Sequence, residues 1–313
     1  MGIQNNIIDQ NSNTEVDYAK YLQKEGLLPG PDICACNSKN FSIQIDKSNK
    51  TSGCIYRCSN YKCRKKFSIR TNSIYELFPF NSLKLILEII SCFLIKEFNV
   101  QKAHYYLQSE KNFVVSKNVI SKIYKTLRNI IERYLYIIYN VEILGEENQN
   151  LYFSADECMF GHEFDEPVWI LGIINNTNKD FRLEIANSRD TNTIKAFISR
   201  HVKKGNKICT DGWPSYDYLD EPDSDYIRYK HNHGQGDFGY GLESTSHIEG
   251  LWANLQAIIK NTYRVMPHGN LLKFIKEAEF KFKLRNLNDE LKIKEIFNVY
   301  LFLKDVGELE KII

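Results

Sequence analysis

The opening residues have none of the features of a secretory leader, and none is expected. The first fifteen residues hold no basic run and no apolar core, and export requires both. Gly2 does not complete a myristoylation signal, because Asn6 stands where that signal has Ser or Thr. A membrane-spanning run is also missing. The most apolar stretch, Leu83 to Ile95, is broken by Lys84 and Glu88 and is shorter than the ~20 residues a bilayer requires. Neither charge is in excess: Lys and Arg number 41 against 39 Asp and Glu, a net charge of +2. With 43% hydrophobic and 26% charged residues, usage is globular, which excludes a disordered or fibrous chain. The expectation is a soluble intracellular protein whose eight cysteines are reduced.

What is present is unevenly distributed. Residues 1–150 carry a net charge of +6 and residues 151–313 one of −4. That asymmetry is expected when one part holds a polyanion and another gathers carboxylates. The length of 313 residues allows two or three domains. Residues 1–30 form a polar lead-in that ends in the turn signal Leu28, Pro29, Gly30, Pro31. Residues 31–78 combine cysteines with short β-like runs, and 79–144 read as helical with almost no Gly or Pro. A polar break at 145–150 precedes a larger unit, 150–288. There, strand-like runs at 151–155, 168–175 and 181–186 are followed by a helix at 191–202 and a strand at 207–210. Loop-rich sequence then runs over 217–246, with helices at 247–263 and 271–284. Three strands, a helix, a strand and then helices predict a mixed sheet covered by helices rather than a doubly wound parallel sheet. The final segment, 289–313, reads as helical and suited to packing or dimerisation. The fold class is α+β and multidomain.

Five of the eight cysteines fall between Cys34 and Cys63, a clustering that points to metal rather than disulfides. Cys34 and Cys36 form one close pair, Cys58 and Cys63 a second, and the gap between them suits a β-hairpin. Four thiolates on two turns make a tetrahedral site for Zn²⁺, and the metal would supply folding free energy to a module too small for its own core. Cys54 is a spare that can replace a member of either pair. Cys92, Cys158 and Cys209 stand in apolar contexts and read as buried small hydrophobes. Lys62, Arg64, Lys65 and Lys66, with Arg57 and Arg70 nearby, place positive charge on the module. Such a cluster is either a phosphate-contacting surface or a solvated face.

In the helical segment, Val100, Ala103 and Leu107, then Val115, Ile120, Ile123, Tyr124 and Leu127, form two apolar stripes at helical spacing. Ser116 is placed to cap the second helix, whose outer face shows Lys117, Asn118, Ser121, Lys122 and Lys125. The pattern is that of a helix-turn-helix with its second helix free for a major groove; a plain helical bundle is the other reading.

In the second half, Asp156 ends one apolar strand, Asp211 ends another, and Glu249 falls in a helix. Strand side chains alternate, so Asp156 and Glu157 face opposite ways. Carboxylates at adjacent strand ends, joined by a third from a crossing helix, can hold two hard cations for phosphoryl transfer. By spacing alone, strand-end aspartates are also ordinary turn formers.

The surrounding motifs carry more. SADE at 154–157, WILGIINN at 169–176, SRDTNTIKAFI at 188–198, ICTDGWPSY at 208–216, HNHGQGDFGYG at 231–241 and STSHIEGLWANLQ at 244–256 follow in order. Together they resemble the Merlin group of DDE transposases and their bacterial insertion-sequence relatives. The stretch from Tyr56 to Glu76 is similar to the zinc ribbon that precedes the catalytic domain in that group. The resemblance covers roughly residues 30–285. It implies an RNase H-like catalytic domain, Mg²⁺- or Mn²⁺-dependent strand cleavage and transfer with two ions, and binding to terminal inverted repeats and target DNA. It further implies assembly as a homodimer or larger in the DNA complex, and a nuclear location if the host is eukaryotic. By position, Asp156, Asp211 and Glu249 match the metal-binding acids, and Cys34, Cys36, Cys58 and Cys63 the zinc ligands. His231, Asn232 and His233 match a loop motif, while Trp213 and Trp252 match aromatic positions beside the acids.

Two departures stand out. Gln256 takes the place, seven residues after Glu249, where the group often has a basic residue. Lys260 lies on nearly the same helical face but about 16 Å along the axis, too far to replace it. The segment 160–166 is acidic where relatives are basic. A DNA-binding descendant with idle chemistry and a nuclease without strand transfer are the alternative readings.

Overall fold

The computed structural model describes residues 14–312 except 47, 49–52, 148, 164–165 and 263–270. In chain order the elements are α1 (Glu15–Lys24), β1 (Phe41–Ile45), β2 (Cys54–Cys58), β3 (Lys66–Ser68), α2 (Leu83–Leu94), α3 (Val100–Ser109) and α4 (Lys117–Val141). They continue as β4 (Tyr152–Glu163), β5 (Glu166–Asn175), β6 (Phe181–Ala186), α5 (Thr191–His201), β7 (Lys207–Thr210) and β8 (Ile227–Lys230). The last helices are α6 (Ser246–Thr262), α7 (Leu271–Lys283) and α8 (Asp289–Asp305). Two compact units result: Met1–Tyr134 with Leu284–Ile313, and Leu135–Lys283. Among the described residues no helix is long and apolar enough to cross a membrane.

In the first unit α1 starts at Thr14, whose hydroxyl accepts the Asp17 amide, and buries Tyr18, Ala19 and Leu22. The lead-in thus holds a packed helix; its residues 1–13 lie outside the described ones. β1, β2 and β3 form an antiparallel sheet, with Phe41 opposite Cys58 and Arg57 opposite Lys66. The Tyr56 hydroxyl donates to the Leu28 carbonyl at 2.6 Å. Its ring lies so close to Gly30 that a Cβ there would sit 2.9 Å from Tyr56 Cζ. The turn before the ribbon therefore needs glycine both for its φ of +78° and for this approach.

Each helix of the following segment begins with a side-chain cap. Ser82, Asn99 and Ser116 accept from the amides of Leu85, Lys102 and Val119. The apolar stripe residues Ala103, Leu107, Val115, Ile120, Ile123, Tyr124 and Leu127 are all buried. α8 packs in this same unit: Lys304 donates to Asn72 and Glu76, and Tyr300 also bonds Glu76.

The second unit is built on a five-stranded sheet of order β6-β5-β4-β7-β8. β4, β5 and β6 run antiparallel as a meander, whereas β7 and β8 are parallel to β4 and its neighbour. α5 buries Ile194, Phe197 and Ile198 against one face with Phe153, Ala155 and Leu171. α6 and α7 bury Ile248, Leu251, Trp252, Leu255 and Ile275 against the other, with Ile170, Ile174 and Leu183. A three-strand meander extended by two parallel strands and covered on both faces is the RNase H-like arrangement. Two expectations change. Asp156 does not end its strand, because β4 stays paired with β5, through a register shift between Met159 and His162, as far as Glu163 opposite Glu166. The loop-rich segment after Asp217 contains β8, a short edge strand whose alternation is too brief to register as a pattern.

On β6, Glu184 accepts hydrogen bonds from His201 at 2.6 Å and Arg200 at 2.5 Å. Burial raises its carboxyl, but these two partners outweigh it and pull it down to about 2. A depressed carboxyl stabilises the fold above its unfolded value and loses that contribution as pH falls towards 2. Glu184→Gln is expected to cost about 1–2 kcal/mol at pH 7, with the gap to the parent narrowing between pH 5 and pH 2 in urea titrations.

Candidate functional site

The cysteine centre forms at the two turns flanking the β1–β2 hairpin. Cys34 and Cys36 lie in the turn before β1, closed by the Cys34 amide on Ser38 O and a left-handed Asn37. Cys58 ends β2, and Cys63 lies in the next turn, where its amide and that of left-handed Arg64 both reach Asn60 O. The sulfurs of Cys34 and Cys63 are 3.5 Å apart, as are those of Cys36 and Cys58, and all four lie within 4.8 Å of one another. A tetrahedron of thiolates at Zn–S of about 2.3 Å has edges of about 3.8 Å, so the set fits zinc. The Cys36 thiol is lowered to about 7, first by the Ser38 amide and then by the neighbouring sulfurs. Cys54 is not part of the cluster; it is buried at the far end of β2, where burial pushes its thiol up to about 12. Cys92 and Cys209 are buried and Cys158 is half-buried.

Around this centre Lys62, Arg64, Lys65 and Lys66 are exposed, while Arg57 is half-buried. Arg70 departs from its expected place on that surface. It is 5% exposed and donates to Asn81 O, tying the ribbon to the chain leading into α2. Lys117, Lys122 and Lys125 are exposed along the first turns of α4. Cys58→Ser is expected to remove the bound zinc and unfold the ribbon while leaving the unit of residues 135–283 folded. Metal analysis with circular dichroism checks this, and full metal content in the variant sinks the ligand set.

The carboxylates occupy the second unit. Asp156 sits mid-way along β4 on the face covered by α6, and its Oδ2 accepts the Trp252 indole N–H at 2.9 Å. The cross-strand partner of Asp156 is Gly172. A Cβ on Gly172 would lie 2.4 Å from the Trp252 ring, so the missing side chain is what lets the indole lie across β5 and reach the carboxylate. Glu249 is half-buried in the first turn of α6, three residues before Trp252 and on the same side of the helix. Gln256, one turn further on, donates to the Cys158 sulfur at 3.4 Å.

Asp211 follows the last residue of β7, and its Oδ1 accepts the Trp213 amide at 2.9 Å. Its carbonyl accepts from Arg228 Nη2 at 2.9 Å. Arg228 on β8 has a fully buried side chain and also donates to Thr210 Oγ1, Asp217 and Asp220. Sequence reasoning missed this arginine because its strand was read as loop.

Glu157 points to the α5 face, opposite Asp156. Its Oε2 accepts the buried Tyr216 hydroxyl at 2.8 Å. Burial first, then the charges of Asp156 and Asp211, push its carboxyl up to about 7 against the pull of the Tyr216 bond. Both aspartates also raise Tyr216, and they lie on adjacent parallel strands, each two residues beyond the Ser154–Cys209 pair. Among the described residues, however, the four cysteines are the one group of three or more ligand side chains set close enough for a shared ion. Asp156, Asp211 and Glu249 do not close to that spacing. Two carboxylates suffice for Mg²⁺, which keeps several waters and binds through one or two acids together with substrate phosphates.

His231 is buried beside Asp237, with its Nδ1 3.4 Å from that carboxylate, so it braces the loop ahead of α6. Asn232 in the same loop accepts the amides of Gln235 and Asp237 on its carbonyl. The side chain of His233 and much of the acidic segment 160–166 lie outside the described residues.

Residues 161–283 match the model of the ISXO2-like transposase domain family. The matched segment takes in Asp211 and Glu249 and begins after Asp156. No curated protein sequence matches the chain. Similar solved structures include the HTLV-2 integrase catalytic core domain in complex with magnesium, in its dimeric form. It is 12% identical over 44% of this chain and 88% of that one, at a TM-score of 0.32. Another is the simian T-cell lymphotropic virus intasome in complex with PP2A regulatory subunit B56 gamma, 10% identical over 64% and 69%, at a TM-score of 0.29.

Gly172→Ala is expected to force the Trp252 indole off Asp156 and to cost about 1–3 kcal/mol through overpacking, read as a lower urea midpoint with unchanged slope.

Proposed function

We propose that the chain is a DNA transposase that binds terminal inverted repeats and cleaves and joins DNA strands at the site of Asp156, Asp211 and Glu249. The observation that carries this reading is that Asp156 and Asp211 each lie two residues beyond the Ser154–Cys209 pair of the adjacent parallel strands β4 and β7, with Glu249 on the helix that covers Asp156; Asp211 and Glu249 fall within the segment that matches the transposase domain family. Mg²⁺ or Mn²⁺ bound by these acids, two ions in the full site, would activate a water or 3′-hydroxyl and stabilise the leaving oxygen. The protein's part is orientation. The Trp252 N–H fixes one oxygen of Asp156. Arg228 fixes the main chain at Asp211. Glu249 stands in the first turn of α6, the helix that covers Asp156.

The exposed Lys62, Arg64, Lys65 and Lys66 of the ribbon and Lys117, Lys122 and Lys125 of α4 are assigned to DNA phosphates, with Arg57 at the margin of the ribbon surface. Arg70 is left out of this set because its guanidinium is buried. Zinc holds the ribbon, and two copies acting on two DNA ends form the working complex.

A second reading has one observation in its favour. Gln256 is engaged with Cys158 rather than placed as a cation beside the acids, which suits a DNA-binding descendant whose chemistry is idle.

The deciding experiment uses a duplex bearing an inverted repeat from the DNA flanking the gene, with purified protein and Mg²⁺. Nicking at the repeat end is expected, and Asp211→Asn should lower it by more than ~100-fold while the DNA dissociation constant changes less than twofold. Binding without nicking favours the idle descendant, and absence of binding to any duplex sinks both readings. Joining of the cut end to a target plasmid separates a transposase from a simple nuclease. Lys122→Ala should weaken binding evenly across sequences and reduce the salt slope by about one.

A further inference from the structure

Arg189 has surroundings that the carboxylate site does not explain. It precedes Asp190, which caps α5 by accepting the Thr193 amide. Its guanidinium lies 4.2 Å from the ring centroid of Trp169 on β5 and 4.2 Å from that of Trp213. One of its nitrogens is 3.9 Å from Glu157 Oε1. The stack therefore joins the middle of the sheet to the residue whose amide is bonded to the Asp211 carboxylate.

The turn at Asp211 needs such an anchor. Gly212 is exposed, and only the end of the Lys230 side chain comes within 4 Å of where its Cβ would be. Arg228 holds the turn from the carbonyl of Asp211. On the far side, Trp213 is 37% exposed, and Arg189 is what covers a face of its ring. A planar cation fills the gap between two indoles on both faces, whereas an ammonium offers a point charge to one.

We propose that Arg189 is a positioning residue for Asp211: stacked between Trp169 and Trp213, it holds the Asp211–Trp213 turn against the sheet and so keeps the Asp211 carboxylate aimed at a divalent cation shared with Asp156. This rests on the reading of Asp156 and Asp211 as cation ligands. It assigns a role to a side chain on the opposite face of the sheet from Trp252.

The test uses the full-length, zinc-loaded chain with Mn²⁺ as the probe, without DNA. In Arg189→Ala, acrylamide should quench tryptophan emission more strongly, because Trp213 loses its cover. Mn²⁺ affinity by titration calorimetry should fall roughly 10-fold, the scale on which removing a ligand's orienting partner acts. Arg189→Lys should not restore it, while Trp213→Phe, which keeps a ring for the guanidinium, should bind Mn²⁺ nearly as the parent does. Parent-like Mn²⁺ affinity in Arg189→Ala overturns the proposal, as does full rescue by lysine. If Arg189→Ala fails to fold, Trp213→Ala takes its place with the same expected loss, and unchanged affinity there also overturns it. Asp211→Asn separates the two levels. If it removes Mn²⁺ binding while the Arg189 variants do not, only the positioning role fails. If the parent binds no Mn²⁺, the reading of the carboxylate site fails with it.

Discussion

The hydrogen bond from the Trp252 indole to Asp156 depends on a side chain that is not there. At Gly172, opposite Asp156 on the neighbouring strand, any Cβ would occupy the volume of the indole. With that space open, α6 settles on the sheet at a height that buries Ile248, Leu251 and Leu255 and sets Glu249 one turn before the tryptophan. One contact thus fixes the depth of the helix, the rotamer of a core tryptophan and the orientation of an acid. A buried indole N–H must find a partner, and here the partner is a carboxylate, which makes core packing and site geometry a single constraint.

The two units reach order by different physical means. The ribbon has three strands of three to five residues, too little apolar surface to offset its chain entropy. Four sulfurs lie there close enough to share one ion, and Tyr56 and Arg70 tie the ribbon to the chain on either side. The sheet of the second unit carries an apolar layer on both faces. Acids then accumulate at one region of that sheet, and Glu157 records the cost: it is pushed up to about 7 by burial and by the charges of Asp156 and Asp211.

Much of this was legible in the residues. Apolar periodicity located β5, β6, β7 and the helices α5, α6 and α7 to within a few residues, since their runs are long and their turns carry Gly, Asn or Asp; it found the start of β4 but ended that strand at 155 instead of Glu163. The pairing of Cys34 and Cys36 with Cys58 and Cys63 followed from spacing, and the structure leaves Cys54 outside because it starts β2 while the other four lie at the hairpin's opposite end. β8 escaped because four residues with an exposed and half-buried pattern carry no periodic signal. Arg70 was misplaced for a related reason: a basic residue in a basic run looks like surface until a neighbouring carbonyl claims it.

By itself, the sequence determined the order of elements, the two-unit division of chemistry into thiols and carboxylates, and the alternation that sends Asp156 and Glu157 to opposite faces. These depend on local periodicity and on the donor chemistry of single residues, both of which are written along the chain. Only the tertiary structure decided that Gly172 makes room for Trp252, that Arg228 holds Asp211, and that Arg189 lies between Trp169 and Trp213. Each of those contacts joins residues distant along the chain, and their meeting follows from strand register and the packing depth of a helix, quantities that no short stretch of residues encodes.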